Sequence, residues 1–520
     1  LLLAAGAGVA VGIVAGCAPD ATPFVPDDPL FGDQWHLRNT GQSGTSGGPG
    51  TVGEDLNVSV AWANFRGRGV RIAIVDDGVD IGHPDLAANV AAGQSYNYSD
   101  QSTDPSTPPG PHGTACAGLA AAVGNNKLGV TGVAFSANVV GYNLLTNLTT
   151  VNETDAMTRA LTANHVYSNS WGATDGIGAM QASSETWRAA IDQGTTSGRG
   201  GLGAIYTWAA GNGGAGGIDR SDYDGRANYR GVIAVAALGD KGQKVSYSEE
   251  GSNVLVSAFA GEQCDTHTIT TIDIQGGEGY NDGGTPAENY PDPNYSKCFN
   301  GTSAATPEIS GVVALMLEAN PRLSWREVRW ILAHTARKND PNDTGWARNG
   351  VDAGVNHKYG YGVADATLAT NVARSWSAPV NLSGAQRTAT GSASPGEAIP
   401  DATADAPGAV VSSTITVNSS GLSGVEFVDV TVTSDHAETG QLALELTSPA
   451  GTVSVLMLPH RCVQDGTAVD CGTQLQAGHR FGIARLMGER VDGDWTLRVQ
   501  DQLAGQTGSL TSWNLAVHGY

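Results

Sequence analysis

The chain has 520 residues, more than one ordinary core accommodates, so two domains with tails are expected. Hydrophobic residues make up 40% of it, with 11 Trp and 14 Tyr, which excludes a disordered chain. A formal charge of -23 repels nucleic acid and anionic membrane surfaces, suits cationic ligands, metal ions or basic peptides, and also serves plain solubility.

The first stretch, "LLLAAGAGVAVGIVAGC", is apolar or small up to Cys17. It is short for a membrane span and lacks a charged far flank, so residues 1–16 read as a signal-peptide core. "VAGC" resembles a bacterial lipobox, in which the cysteine is lipidated; ordinary cleavage nearby with an incidental Cys17 is the alternative. Export follows from either, to the bacterial cell envelope (outer membrane or periplasm) or as a secreted protein. A lipid anchor at Cys17 is the one membrane contact expected, with residues 17–27 as a tether.

From residue 28 to 372, short β-rich runs alternate with helical spacing. "VRIAIVDD", "NVVGYNLL", "HVYSNSW", "GAIYTWAAGN" and "GVIAVAAL" lack polar alternation, as strands buried on both faces do. "GTACAGLAAAVG", "SETWRAAIDQGT", "SAATPEISGVVALMLEAN" and "SWREVRWILAHTA" carry helical spacing between them. Such alternation predicts an α/β domain, doubly wound around a mainly parallel sheet. A composition shift marks a linker over 373–385. From 386 (or from about 376) to 520 the chain is rich in Ser, Thr and Val, with alternating runs such as "QLALELTSP" and "DWTLRVQD". That pattern predicts an all-β, jelly-roll-like sandwich with Trp495 and Trp513 in its core.

Six cysteines suit an oxidising compartment. Cys462 and Cys471 read as a local loop staple. Cys264 and Cys298 flank a polar, Gly-rich segment and can close it as a second disulfide. Cys116 is left over, as a buried thiol. Neither a C-x-x-C pair nor a His-Cys cluster stands in the sequence, so no zinc site is expected.

Three motifs fall at strand or helix ends, where α/β sheets build their sites. Asp76 ends a strand in "IVDDG", His112 opens a helix in "HGTACAG", and Ser303 opens another in "NGTSAATPEISG". A serine hydroxyl becomes a useful nucleophile when an imidazole accepts its proton and a carboxylate fixes that imidazole's tautomer. The helix N-terminus at Ser303 favours a developing oxyanion, and Asn212 in "WAAGNGG" supplies a second donor. Pro307 is expected in the first turn of that helix, where its missing N–H is harmless. The order Asp, His, Ser matches the subtilisin arrangement.

With "AIVDDGVDIGHPDL", "HGTACAG", "VYSNSWG", "GRGGLGAIYTWAAGNGG", "YSEEGS", "GTSAATPEISGVVALMLEANP" and "YGYG", the chain resembles a subtilisin-like serine protease. The branch it resembles is that of kexin and furin, the proprotein convertases. The tail resembles that branch's P domain through "GQLALELTSPAGTVSVLM" and "DGDWTLRVQDQLAGQTGSLTSWNLAVHGY". The resemblance implies a triad of Asp76, His112 and Ser303, with Asn212 in the oxyanion hole. It puts Ser170, Trp171 and Gly172 along the bound substrate and Asp77 opposite the substrate residue before the cleaved one. Asp175 and Asp224 become acids of the primary pocket. For calcium it implies Asp28, Asp85 and Asn126 in one site, and Asp175, Asp219 and Glu249 in a second.

Two departures bear on function. Convertases carry a sizeable pro-domain, whereas about ten residues separate Cys17 from Asp28, so folding is expected to be unaided or helped by a separate chaperone. "TDAMTRAL" has Met157 or Thr158 where furin has an acid, and "ATDGIGAMQ" lacks a later one, which argues against furin-like recognition four residues before the cut. The expected protein is an exported, monomeric, calcium-dependent kexin-like endopeptidase cutting peptides after Arg or Lys, preferably after a basic pair. A broad-specificity subtilase and a catalytically idle surface binding lipoprotein are the rivals.

Overall fold

The computed structural model describes residues 22–42, 47–108, 110–264, 267–283, 289–380, 382 and 384–520. The expected signal core and Cys17 lie outside them. Strands β1 (Arg71–Asp76), β2 (Tyr96–Asn97), β3 (Asn138–Asn143), β4 (Val166–Asn169), β5 (Ile205–Ala209), β6 (Val232–Leu238) and β7 (Val254–Phe259) form one sheet. Its order is β2-β3-β1-β4-β5-β6-β7, and every neighbouring pair is parallel.

Strands β4 to β7 are buried along their whole length, which is why their sequences carry no polar alternation. Ile72 and Ile74 of β1 join one core with helices α1 (Pro111–Ala121), α4 (Thr302–Ala319), α5 (Trp325–Thr335) and α6 (Ala366–Arg374). Ala73 and Val75 join another with α2 (Thr150–Thr158) and α3 (Glu185–Gly201) on the opposite face. Local signals start several of these helices. The side chains of Thr149 and Ser184 cap α2 and α3, and Ser324 with Glu327 forms a capping box on α5.

The sheet order reverses at β1, whose neighbours are β3 on one side and β4 on the other. A crevice opens at the carboxyl end of such a strand because the connections leave in opposite directions. Asp76 is the last residue of β1 and therefore stands at its floor. A hairpin of β8 (Ile269–Ile272) and β9 (Tyr295–Phe299) follows β7, and Cys264 is bonded to Cys298.

Pro307 departs from expectation. It lies inside α4, in the second turn, so the carbonyl of Ser303 lacks its intrahelical partner.

α6 ends at Arg374, and the first strand of the C-terminal sandwich begins at Arg387. One antiparallel sheet contains Arg387–Ala393, Gly508–Gly519, Val425–Ser434 and His479–Ile483, with Glu397–Ile399 also paired to Gly508–Gly519. The other contains Val411–Val417, Gly493–Asp501, Leu442–Thr447 and Val453–Met457. Alternate residues of Val411–Val417 are buried and exposed, the signature of a half-buried strand. Trp495 and Trp513 are fully buried in this core.

The two domains share side chains. Phe427 packs into the α/β core, and Tyr223 packs into the sandwich core. Arg326 of α5 forms a buried ion pair with Glu426, its Nε donating to Oε2 at 2.8 Å. Among the described residues no helix is long and apolar enough to cross a membrane.

Candidate active site

Asp76 is fully buried, and its Oδ1 accepts from the Nδ1–H of His112 at 2.8 Å and from the Asp77 N–H at 2.8 Å. His112 is the second residue of α1, after Pro111, so the helix start aims its ring back at the end of β1. This close approach requires Gly113. A Cβ there would come within 2.1 Å of the Gly78 carbonyl oxygen. Burial pushes the imidazole pKa down, but the charge and hydrogen bond of Asp76, with Asp77, outweigh it and raise it to about 8. The ring of Phe299 packs against His112 with centroids 5.5 Å apart.

Ser303 follows the turn at Gly301, whose φ of +85° is a left-handed conformation open to glycine. The Ser303 hydroxyl donates to the Ser170 carbonyl at 3.1 Å rather than to His112. The carbonyl freed by Pro307 accepts from the Ser170 hydroxyl at 3.0 Å and from the Cys116 thiol at 3.5 Å. Sequence reading assigned neither contact. Cys116 is a buried free thiol, and burial raises its pKa further.

Asn212 lines a cavity of about 380 Å³ with His112, Ser303 and Phe299. Its Oδ1 accepts from both the N–H (2.8 Å) and the hydroxyl (2.9 Å) of Thr302. With the oxygen anchored, the amide N–H groups are the part left to meet a ligand. Thr302 went unnoticed in the sequence, although the "GTS" motif carries it.

Across Ser303, Trp171 Nε1 donates to the Val75 carbonyl at 2.9 Å and Gly172 adjoins Asp224. A Cβ on Gly172 would come within 2.4 Å of Asp224 Oδ2, so glycine admits the carboxylate. Asp224 is buried and accepts from the N–H groups of Ala173 (2.9 Å) and Arg226 (2.7 Å). Arg226 stacks over Trp171 and pairs with Glu153 at 2.6 Å, an arrangement the sequence did not suggest. Asp77 is half-buried, and its Oδ1 accepts from Gly113 N–H in the first turn of α1 at 2.8 Å. Burial first, then the charge of Asp76, raises its pKa to about 6.

The acids expected to hold calcium form two groups. Asp28 accepts from the N–H groups of Asn125, Asn126 and Lys127, while Asp85 accepts from Val130 N–H and Asn126 Nδ2. Burial and the nearby Asp28 charge raise Asp85 to about 7. Asn126 thus presents its nitrogen to Asp85, and its amide must turn to offer oxygen to a cation. In the second group, Asp219 accepts from Gly176 and Gly178, Asp175 accepts from Asn212 N–H at 2.8 Å, and Glu249 accepts from Gly213 N–H at 3.0 Å. Burial raises Glu249 well above its ordinary range, and the nearby charges of Asp175, Asp219 and Asp224 raise it further. Each group joins two buried carboxylates, Asp28 with Asp85 and Asp219 with Glu249, to an exposed oxygen-bearing side chain, Asn126 or Asp175. Such clustered oxygens with repelling charges fit a hard divalent cation.

This fold and site define a protease of the subtilisin class. The subtilase family model matches residues 67–362, and the proprotein convertase P-domain model matches 425–517. The chain belongs to the subtilase family, in its kexin/furin-like proprotein convertase branch, and is a serine endopeptidase. It is 34% identical to neuroendocrine convertase 2 of Sus scrofa over 513 residues, 95% of this chain and 74% of that protein. It is 33% identical to PC3-like endoprotease variant B of Hydra vulgaris, covering 92% of this chain and 64% of the relative. A serine protease of Aeromonas sobria, solved with a chaperone, superposes with a TM-score of 0.84 at 29% identity, over 99% of this chain and 98% of that one.

Proposed function

We propose that the chain is an exported, calcium-dependent endopeptidase that cuts after Arg or Lys and prefers a basic pair. The observation that carries this reading is the Asp76–His112 bond behind the cavity that His112 lines with Ser303 and Asn212. Catalysis begins when the Ser303 hydroxyl turns from the Ser170 carbonyl to the free imidazole nitrogen of His112. The imidazole takes the proton as Oγ bonds to the scissile carbonyl carbon. Negative charge on the carbonyl oxygen meets the amide of Asn212 and the Ser303 N–H, one of the donors left open at a helix start. Collapse of this intermediate breaks the C–N bond, and His112 returns the proton to the leaving amine. Water, activated by the same imidazole, then releases the acyl group from Ser303. Asp76 holds the tautomer and balances the imidazolium charge throughout.

Specificity comes from acids of separate segments, Asp77 beside the start of α1 and Asp175 and Asp224 around Gly172. Asp224 and Asp175 serve the cleaved residue, beside Ser170, Trp171 and Gly172, and Asp77 serves the residue before it. Asp77 Oδ1 is held by the Gly113 N–H, which fixes the carboxylate for a substrate cation. Asp28, Asp85 and Asn126 would hold one calcium, and Asp175, Asp219 and Glu249 another. Bound calcium supplies positive charge that relieves repulsion among these carboxylates.

A separate folding helper and an N-terminal lipid anchor belong to this reading. The chaperone named with the Aeromonas protease supports the first.

Three peptides test the proposal, identical except for Lys-Arg, Ala-Arg or Ala-Leu before the cut. The expected order of kcat/KM is Lys-Arg, then Ala-Arg, with Ala-Leu far below. Ser303→Ala should lower kcat on the order of 10⁶-fold and abolish fluorophosphonate labelling; Asn212→Ala should lower kcat roughly 10²–10³-fold. Equal rates on all three peptides identify a broad-specificity protease instead.

A further inference from the structure

A small hairpin of the C-terminal domain stands outside both sheets of the sandwich. It pairs Cys462–Gln464 with Thr467–Val469 and is closed by the Cys462–Cys471 disulfide. A two-stranded hairpin of this length has little stability of its own, so the cross-link and its neighbours hold its shape. Those neighbours are the two segments that carry Asp175, Asp219 and Asp224.

The first segment is the loop after Asp175. Val463 N–H donates to the Ile177 carbonyl at 2.9 Å, and His460 Nε2 bonds the Gly178 carbonyl at 3.0 Å. Met180 N–H donates to Gln474 Oε1 at 2.5 Å, and Gln474 Nε2 in turn donates to the Cys471 carbonyl at 3.3 Å. The fit leaves no room for a side chain at Gly178, where a Cβ would meet the Arg461 carbonyl oxygen at 2.5 Å. Gly176 and Gly178 of this loop give their N–H groups to Asp219. The second segment runs from Asp219 to Asp224. Within it, the Tyr223 ring lies 4.9 Å from the His460 ring, and the tyrosine hydroxyl bonds His460 Nδ1 at 3.3 Å. Met180 and Tyr223, one from each segment, both pack against the sandwich core.

We infer that the disulfide-closed hairpin is a positioning element for the specificity pocket, holding the loops of Asp175 and Asp224 together for Arg or Lys and for calcium at Asp175, Asp219 and Glu249. The physical reason is geometric. Asp219 and Glu249 are buried and Asp175 lies exposed beside them, and like charges so close repel one another unless a cation or a rigid frame keeps them at fixed separations. The frame here comes from the other domain. His460, Val463 and Gln474 do not line the cavity at Ser303, and act through Gly178, Ile177 and Met180. The inference rests on the proposed reading of Asp175 and Asp224 as substrate-facing acids.

The test uses the full chain with three variants: Cys462→Ser/Cys471→Ser, Gln474→Ala and Asp224→Asn. Fluorophosphonate labelling counts competent sites, and hydrogen exchange follows the amides of 176–180. For the double cysteine variant, labelling should stay within about twofold. Its kcat/KM on Arg peptides should fall about 5- to 150-fold, the usual span of coupling between sites. The loss should appear mainly in KM, with faster exchange at 176–180 and a higher calcium concentration for half-maximal activity. Gln474→Ala should move the same readouts in the same direction by a smaller factor, and it stands in if the double variant fails to fold. Unchanged Arg-over-neutral discrimination with slow exchange at 176–180 in both overturns the inference. A purely structural role would lower the thermal midpoint and leave KM and discrimination alone. If Asp224→Asn itself leaves discrimination untouched, the reading of the pocket is wrong, whatever the hairpin does.

Discussion

Ser170 and Ser303 exchange two hydrogen bonds: each hydroxyl donates to the other's carbonyl, at 3.0 Å from Ser170 and 3.1 Å from Ser303. Pro307 makes this possible by removing the helical N–H that the Ser303 carbonyl would otherwise take. Ser170→Ala leaves a buried carbonyl with the weak Cys116 thiol alone. An unmet buried acceptor costs about 1–3 kcal/mol. The acylation rate in single-turnover experiments should therefore fall roughly 5- to 100-fold, with KM nearly unchanged. An unaltered acylation rate would show that Ser303 needs no such clamp.

The base limb of the pH profile follows from Asp76. In the proposed mechanism neutral His112 accepts the serine proton, so with its pKa raised to about 8, kcat/KM should climb with pH through that value. Asp76→Asn removes the raising charge. It should shift the limb to lower pH and reduce kcat by about 10⁴-fold, through the wrong tautomer. A limb that stays put in this variant would assign it to another group.

Asp77 should titrate where dibasic preference appears. It must be ionised to attract a substrate cation, and its pKa is raised to about 6. The ratio of kcat/KM for Lys-Arg over Ala-Arg peptides should rise as pH increases through that value. Asp77→Asn should lower Lys-Arg cleavage by about 10–100-fold, the range of one charge-assisted bond, and leave Ala-Arg nearly unchanged. Equal losses on both peptides would reduce Asp77 to its bond with Gly113.

Calcium should stabilise the folded chain by mass action, by about 3 kcal/mol at a hundred times the dissociation constant. EDTA should lower the thermal midpoint and the activity together, and calcium should restore both. Because Asp85 is raised to about 7 and Glu249 well above its ordinary value, protons compete for these sites, and calcium affinity should weaken as pH falls. Titration calorimetry of Glu249→Gln should show one fewer ion bound. A midpoint indifferent to EDTA, with no metal by elemental analysis, would sink both assignments.

Removing residues 376–520 should leave an insoluble chain. The cut withdraws Phe427 from the α/β core, uncovers Tyr223, and leaves the buried Arg326 without Glu426. Light scattering and activity of the refolded truncation measure the outcome. A soluble, fully active α/β domain would contradict it.

The sequence by itself determined the layers and the chemistry. Strands such as "VIAVAAL" announce burial on both faces, alternation in "DWTLRVQD" announces a sandwich, and Asp76, His112 and Ser303 stand in short motifs whose residue types suit the proposed acid, base and nucleophile. These features are legible because they depend on period and neighbours along the chain. Tertiary structure alone decided that Thr302 anchors Asn212, that Ser170 receives the carbonyl Pro307 sets free, and that the Cys462–Cys471 hairpin rests on the loop after Asp175. Each of these joins groups separated by dozens to hundreds of residues, and local spacing holds no record of which distant backbone will present a donor. Only the packing of α4 against the sheet, and of the sandwich against both, sets those distances.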